Sequence, residues 1–318
     1  MNNLEIPNAL IIEQAHERIK NYIHRTPVLS SEILNDIFKT EIYFKCENFQ
    51  KVGAFKSRGA VNAVMSLNEN ELEYGVCTHS SGNHAQALAR AARLRNIKAY
   101  IVMPETAPKV KIAAVKQYGG EITFCKPTLA AREETIKSII EKTNAIEIHP
   151  YNNVKIIAGQ ATAAKELIED CKALDIIMAP VGGGGLLSGT ALAVKYFSPY
   201  TKVIAGEPDN ANDAYQSYYK KELMPSINPN TIADGLLTSL GSITFPIILN
   251  HVDQIVTASE SAIIEAMKLV WERMKIIIEP SSAVPLATIL ENKFESRNKK
   301  IGIIISGGNV DLTKLPWL

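Results

Sequence analysis

Cysteine is scarce: the four present, Cys46, Cys77, Cys125 and Cys171, are widely spaced and form no CxxC pair. That excludes a zinc ribbon and a small disulfide framework, and it fits a reducing cytoplasm. An excess of one charge is also missing. Thirty-four Lys and Arg face 33 Asp and Glu, so the chain has no general field for nucleic acid or anionic lipid. The N-terminal MNNLEIPNALIIEQAHERIK lacks a basic stretch followed by an unbroken apolar one, and it reads as an amphipathic helix instead of an export signal. Low-complexity segments, charge blocks and Pro/Ser-rich linkers are absent. The uncharged run Ile176 to Val194 approaches the length of a membrane span. Pro180, four consecutive glycines, Ser188 and Thr190 break it into a buried strand, a tight loop and a small-residue helix, so no membrane partner is expected.

What is present is the composition of a globular chain, 46% hydrophobic and 21% charged over 318 residues, a length suited to about two domains. From Gly75 short β-rich runs alternate with helical patterns: GVCTH, NHAQALARAARLR, KAYIVM, PKVKIAAVKQY, EITFC, LAAREETIKSIIEK and AIEIH. A second block runs DIIMAPV, GGGG, LLSGTALAVKYF and KVIAGEP, and the C-terminal part adds SESAIIEAMKLVWERMK and KIGIIIS. This βαβ rhythm predicts an α/β fold of two open twisted domains with mainly parallel sheets. Residues 75–152 read as a smaller inserted domain, with 1–74 and 153–318 forming the larger one. Pro108 suits a first helical turn, and Gly119-Gly120 a helix C-cap. Ligands of such sheets bind beyond the carboxyl ends of the strands, which here carry SSGN, GGGG and SGGN.

Gly182, Gly183, Gly184 and Gly185 follow a strand and open a helix, so their N–H groups and the helix dipole suit a phosphate. The loop matches neither GxGxxG, a P-loop nor GxSxG. A tight turn is the simpler alternative, although four glycines exceed what a turn requires. Lys56 lies among small and apolar residues in GAFKSRGA; desolvation and Arg58 would both lower its pKa, as an attacking amine requires. A snorkelling surface lysine is the alternative. Thr78-His79-Ser80-Ser81-Gly82-Asn83-His84 joins a strand to a helix and could hold a carboxylate or serve as an ordinary N-cap. Glu207, Asp209 and Asp213 follow a strand at a spacing suited to a hard cation or to a solvated acidic loop.

Together these segments resemble the fold-type II pyridoxal-phosphate enzymes, most closely the serine racemase and serine/threonine dehydratase family. The resemblance runs through TPVLSSEIL, FKCENFQKVGAFKSRGA, THSSGNHAQALA, AYIVMPETAP, VGGGGLLSG, EPDNAND, TIADG, WERMKIIIEP and SGGNVDL. It implies a tryptophan synthase β-like fold, pyridoxal 5'-phosphate (PLP) as cofactor, and a homodimer. Lys56, preceded by Phe55, would form the Schiff base. Gly182 to Gly185 and Leu186 would hold the phosphate, Asn83 would contact the ring hydroxyl, and Ser306 would face the pyridine nitrogen. Ser80, Ser81, Gly82, Asn83 and His84, with Arg132, Gly235 and Thr238, would receive the substrate. Ser81 would exchange a proton on the face opposite Lys56, because the chain has SSGNH where threonine dehydratases have SAGNH. Glu207, the Ala211 carbonyl and Asp213 become a Mg²⁺, Ca²⁺ or Mn²⁺ site.

Nucleotide-binding members use positions matching Ser31, Ile33, Lys51, Gln86, Tyr118, Lys275 and Asn309, which makes ATP a candidate activator. Glu32 and Val52 replace hydroxyl residues of that set, and a carboxylate there would repel a triphosphate. The implied activity is serine racemisation with elimination of water from L-serine and L-threonine. The alternative is a dehydratase of L-threo-3-hydroxyaspartate or a catabolic serine/threonine ammonia-lyase.

Overall fold

Ten strands order the chain in a computed structural model that describes residues 6–80, 82–107 and 109–317, apart from the side chains of Val110 and Leu129. Ser81 and Pro108, both singled out above, fall outside the described residues. The strands are β1 (Val28–Leu29), β2 (Glu41–Cys46), β3 (Val76–His79), β4 (Ala99–Pro104), β5 (Glu121–Cys125), β6 (Ile146–Glu147), β7 (Ile176–Pro180), β8 (Lys202–Pro208), β9 (Gln254–Ala258) and β10 (Lys300–Ile305). They build a six-stranded sheet in the order β1-β2-β10-β7-β8-β9 and a four-stranded sheet in the order β5-β4-β3-β6. Every pairing is parallel except that of β1 with β2, as helical crossovers demand.

Helices cover both faces of the larger sheet, so its central strands are apolar throughout, not alternating. All five residues of β7 are buried, and β8 and β10 expose only their first lysine. At the edge of the smaller sheet, β5 shows three exposed residues of five. The uncharged run resolves into β7, the glycine bends and the helix Gly185–Phe197, which packs on the helix Val154–Asp170. No described helix is long and apolar enough to cross a membrane. The N-terminal helix, Ala9–Ile19, starts where the Asn8 side chain accepts the Ile11 N–H. Gly119 takes the left-handed conformation expected just beyond a helix end, φ +85°.

One close approach matters for the site. The helix Lys56–Met65 meets Val154–Asp170 so tightly that a Cβ on Gly159 would lie 2.6 Å from the Gly59 Cα. Beside that contact Arg58, fully buried, is clamped between Glu47 and Glu166, with N–O distances of 2.7–2.8 Å, while Lys45 reaches Glu166 at 2.7 Å. Removing either acid would leave charge buried without a counterion.

Candidate active site

The carboxyl ends of β3, β7 and β10 converge with the segment after β2, and each delivers one group. Lys56 opens its helix directly after Phe55, whose N–H bonds the Ser306 carbonyl at 2.9 Å just beyond β10. Its Nζ donates to the Pro150 carbonyl at 2.8 Å and sits 5.1 Å from the Phe55 ring centroid. Burial lowers the amine to about 8, and only the charge of Glu279 pulls it back up. Arg58 takes no part in that shift: its guanidinium points into the Glu47 and Glu166 pair, which corrects the expectation drawn from its nearness in sequence.

Asn83 begins the helix Asn83–Leu94 and donates through Nδ2 to both oxygens of Glu279, at 3.0 and 3.1 Å. Glu279 is buried and pushed up to about 7, chiefly by that burial. Ser306, also buried, lies 2.9 Å from the Ser282 hydroxyl. His84 contacts the Ile148 carbonyl through Nε2 at 3.0 Å, so Nε2 carries the hydrogen and the buried Nδ1 is left without a partner. Burial holds its pKa well below 6.5, so the ring is neutral and cannot donate to an anion through Nδ1. Its contribution to a carboxylate site is the backbone N–H at a helix start.

The glycine loop is both crowded and unsatisfied. A Cβ on Gly183 would meet the Tyr151 ring at 2.3 Å, one on Gly185 would meet Tyr151 Cβ at 2.9 Å, and Gly184 has φ +87°. A Cβ on Gly182 would lie 2.9 Å from the Leu236 Cα, so all four glycines are required by packing or by backbone conformation. Gly182 to Leu186 are buried, yet their N–H groups find no acceptor among the described residues. A row of buried donors at a helix N-terminus fits an anion such as a phosphate, and the amine, the amide and the hydroxyl complete the donor set that PLP needs.

Gly235 donates its N–H to Ser281 at 3.1 Å, and Thr238 lies beside the Tyr151 hydroxyl, both near the glycine loop. Arg132 approaches His79, at the end of β3, and its Nε is buried without a partner. Glu207 accepts the N–H groups of Ala214 and Tyr215 at 2.9 and 2.7 Å, while Asp213 Oδ2 is buried without a hydrogen bond. Burial pushes both carboxyls up, Asp213 to about 6, and the charge of Asp213 raises Glu207 further. Such a pair calls for a shared proton or a cation, and the Ala211 carbonyl belongs to the same buried turn. Among the described residues no three His, Cys, Asp or Glu side chains gather as a metal cluster.

The nucleotide set is only partly assembled. Gln86 and Asn309 line one cleft of about 460 Å³ together with Lys111, Asp234, Pro280 and Lys314. Ser31 instead caps the helix Glu32–Phe38, Ile33 is exposed, and Lys51 belongs to a short 3₁₀ turn. Tyr118 lines a separate hollow with Arg93 and Glu121, and Lys275 Nζ bonds the Glu272 carbonyl.

Sequence reasoning missed Glu279, Tyr151 and His149. Glu279 carried a signal: an acid ending the apolar run Ile276 to Ile278 directly before Pro280 marks a buried helix start. Tyr151 and His149, whose rings meet edge-on at 4.6 Å, carried none.

A family model described as pyridoxal-phosphate dependent enzyme matches residues 19–307. The chain is 54% identical to a serine racemase of Dictyostelium discoideum over 308 residues, 96% of this chain and 95% of that one. It is 51% identical to a beta-hydroxyaspartate dehydratase of Paracoccus denitrificans over 303 residues, 95% and 96% of the two chains. The crystal structure of the Dictyostelium discoideum serine racemase superposes with a TM-score of 0.92, covering 96% of this chain and 99% of that one. An enclosed amine with a lowered pKa, an unsatisfied glycine cradle and this full-length match agree with one another, and the chain belongs to the pyridoxal-phosphate dependent enzymes.

Proposed function

We propose that the protein interconverts L- and D-serine and, as a side activity, eliminates water from L-serine and L-threonine to give pyruvate or 2-oxobutyrate and ammonia. The observation that carries this reading is the buried Lys56 amine, which donates to the Pro150 carbonyl at 2.8 Å and lies close enough to His84, second residue of the helix that opens at Asn83, for its charge to lower the pKa of that imidazole. When bound, PLP supplies an electron sink for the charge left on the substrate α-carbon. Gly182 to Leu186 hold its phosphate, Asn83 its ring hydroxyl and Ser306 its ring nitrogen. The N–H groups of Asn83 and His84 fix the substrate carboxylate on the helix N-terminus, whereas the Ser80 N–H is held by the Val102 carbonyl at 3.0 Å and the Gly82 N–H by the Ser80 hydroxyl at 3.3 Å. Lys56 moves the α-proton on one face and the Ser81 hydroxyl on the other, so racemisation needs both while elimination needs Lys56 alone. Incubation with L-serine, assayed for D-serine by chiral chromatography and for pyruvate in the same tube, tests this. Ser81→Ala should abolish D-serine and spare pyruvate; equal survival of both products sinks the two-face reading.

Arg132 favours a second reading. Its buried, unpartnered Nε beside His79 suits the second carboxylate of a 3-hydroxyaspartate, and one full-length relative is a dehydratase named for that compound. Arg132→Ala should lower kcat/KM for hydroxyaspartate about tenfold or more and leave serine within a factor of about two. Equal losses for both substrates would remove this reading.

We further propose that residues 75–152 form a smaller domain facing a larger one made of 1–74 and 153–318. Glu207, the Ala211 carbonyl and Asp213 take a hard divalent cation, Mg²⁺, Ca²⁺ or Mn²⁺, supported by the orphaned Asp213 oxygen. Two copies pair, supported by the exposed apolar set Ile33, Ile37, Phe49 and Ile277. We assign ATP no role in the cleft beside Gln86 and Asn309, because Asp234 and Asp311 there offset Lys111 and Lys314.

A further inference from the structure

Val52 is a β-branched residue held at φ 57°, ψ 16°, in the left-handed region that such residues avoid. Gly53, at φ +67°, continues the same turn. Backbone strain of this kind persists only where neighbouring groups over-determine it. Here the segment is zipped to the strand end after β10: Gly308 N–H bonds the Gly53 carbonyl at 2.9 Å, Ala54 bridges Gly307, and Phe55 N–H bonds the Ser306 carbonyl. One side chain bonds the strained residue's carbonyl. Asn309 Nδ2 donates to the Val52 carbonyl at 2.8 Å and to Asn83 Oδ1 at 2.8 Å. A Cβ on Gly53 would lie 2.7 Å from Asn309 Oδ1, so the turn has room for this amide only because residue 53 is glycine.

The pattern fixes amide orientations without ambiguity. Both Nδ2 hydrogens of Asn309 are committed to acceptors, so its nitrogen must face Val52 and Asn83. Asn83 then presents its oxygen to Asn309 and its nitrogen to Glu279, which also accepts the Asn309 backbone N–H at 3.2 Å. One Nδ2 hydrogen of Asn83 is used on the carboxylate, and the other is left free to donate.

We propose that Asn309 is a positioning residue of the cofactor site, setting the donor direction of Asn83 and the strained turn that leads into Lys56 through a single amide. This rests on the reading that Asn83 contacts the PLP ring hydroxyl. It concerns neither a nucleotide nor direct contact of Asn309 with substrate. Glu279 and Asn309 hold the Asn83 amide from two sides. Loss of the Asn309 donor frees that amide to turn and removes the partner that stabilises the Val52 carbonyl.

The test uses PLP-loaded Asn309→Ala, Asn309→Asp, Asn83→Ala, Val52→Gly and the double variant Val52→Gly/Asn309→Ala. Three properties are read in each: the absorption band of the cofactor–lysine linkage, the PLP dissociation constant and the thermal midpoint. Both Asn309 variants should displace the band in the same direction as Asn83→Ala and weaken PLP roughly three- to tenfold, as loss of one positioned hydrogen bond implies. Val52→Gly in the double variant should restore the thermal midpoint, since glycine tolerates the turn, while the band stays displaced. A merely structural role would restore both together and overturn the proposal. If Asn83→Ala moves the band and the Asn309 variants do not, only this proposal fails. If Asn83→Ala leaves the band unmoved, the ring-contact reading fails and takes this proposal with it. Should Asn309→Ala not fold alone, the double variant carries the same comparison.

Discussion

The enclosure of Lys56 predicts how fast the empty protein captures its cofactor as pH changes. With burial lowering the amine from 10.5 to about 8, about 24% of it is neutral at pH 7.5, against about 0.1% for an ordinary lysine, a gain of roughly 240-fold. Cofactor-free protein mixed with PLP should gain the linkage absorbance at a rate that climbs tenfold per pH unit below about pH 8 and then levels. Dividing by the rate for Nα-acetyl-lysine at the same pH cancels the ionisations of PLP itself. The quotient should be flat on the acid side and fall above about pH 8, because the free amine continues to gain up to its own pKa. Glu279→Gln removes the charge that holds Lys56 up and should move the break to lower pH. The stability sign follows from the same shift. Between about pH 8 and 10.5 the unfolded chain holds a proton that the folded one has released, so the Lys56 contribution to stability rises with pH across that window. Lys56→Met should accordingly stabilise the cofactor-free protein at neutral pH and lose that advantage above about pH 10.5. A protein rate that rises tenfold per unit through pH 10 would refute the lowered pKa.

Arg58→Met strands Glu47 in the interior and leaves Glu166 with Lys45 alone, and it should cost about 3–5 kcal/mol, or roughly 5–7 °C in Tm for 318 residues, measured by differential scanning calorimetry. Burial alone would raise Glu166, but Arg58 and then Lys45 outweigh it and hold the carboxyl at about 2, against 4.5 unperturbed. The stability from that pairing is lost as pH falls from about 4.5 towards 2, so the gap between wild type and variant should narrow there; a constant gap contradicts the pairing. Gly183→Ala drives a methyl into the Tyr151 ring and should cost roughly 1–3 kcal/mol while raising the PLP dissociation constant, read by fluorescence titration. Unchanged affinity would show that the loop does not hold the phosphate. Mg²⁺ at about a hundred times its dissociation constant should raise Tm by roughly 4 °C in the wild type and not in Asp213→Asn. An equal rise in both places the cation elsewhere.

The alternation of short apolar runs with helical patterns was enough to specify parallel strands, since crossover helices bury both faces and leave a continuous apolar signal in runs such as Ile176 to Pro180. The loops at the strand ends were legible for the same reason, because a glycine run or an SxGN turn stands out against its flanks. Burial by distant segments was not legible. Arg58 looked like a neighbour of the Lys56 amine, yet helix geometry turns it toward Glu47 and Glu166, the latter 108 residues away. Nothing in the residues around Gly183 says that Tyr151 fills the space a side chain would need, and nothing near Asn83 names Glu279 or Asn309 as its partners. The order of residues alone determined the strand and helix pattern, the amine, the anion loop and the family, because periodicity, chemical type and glycine content are local properties. Only the tertiary structure decided which charges are paired, which amides are oriented and how far the amine is desolvated, because these depend on contacts between segments that the chain order keeps apart.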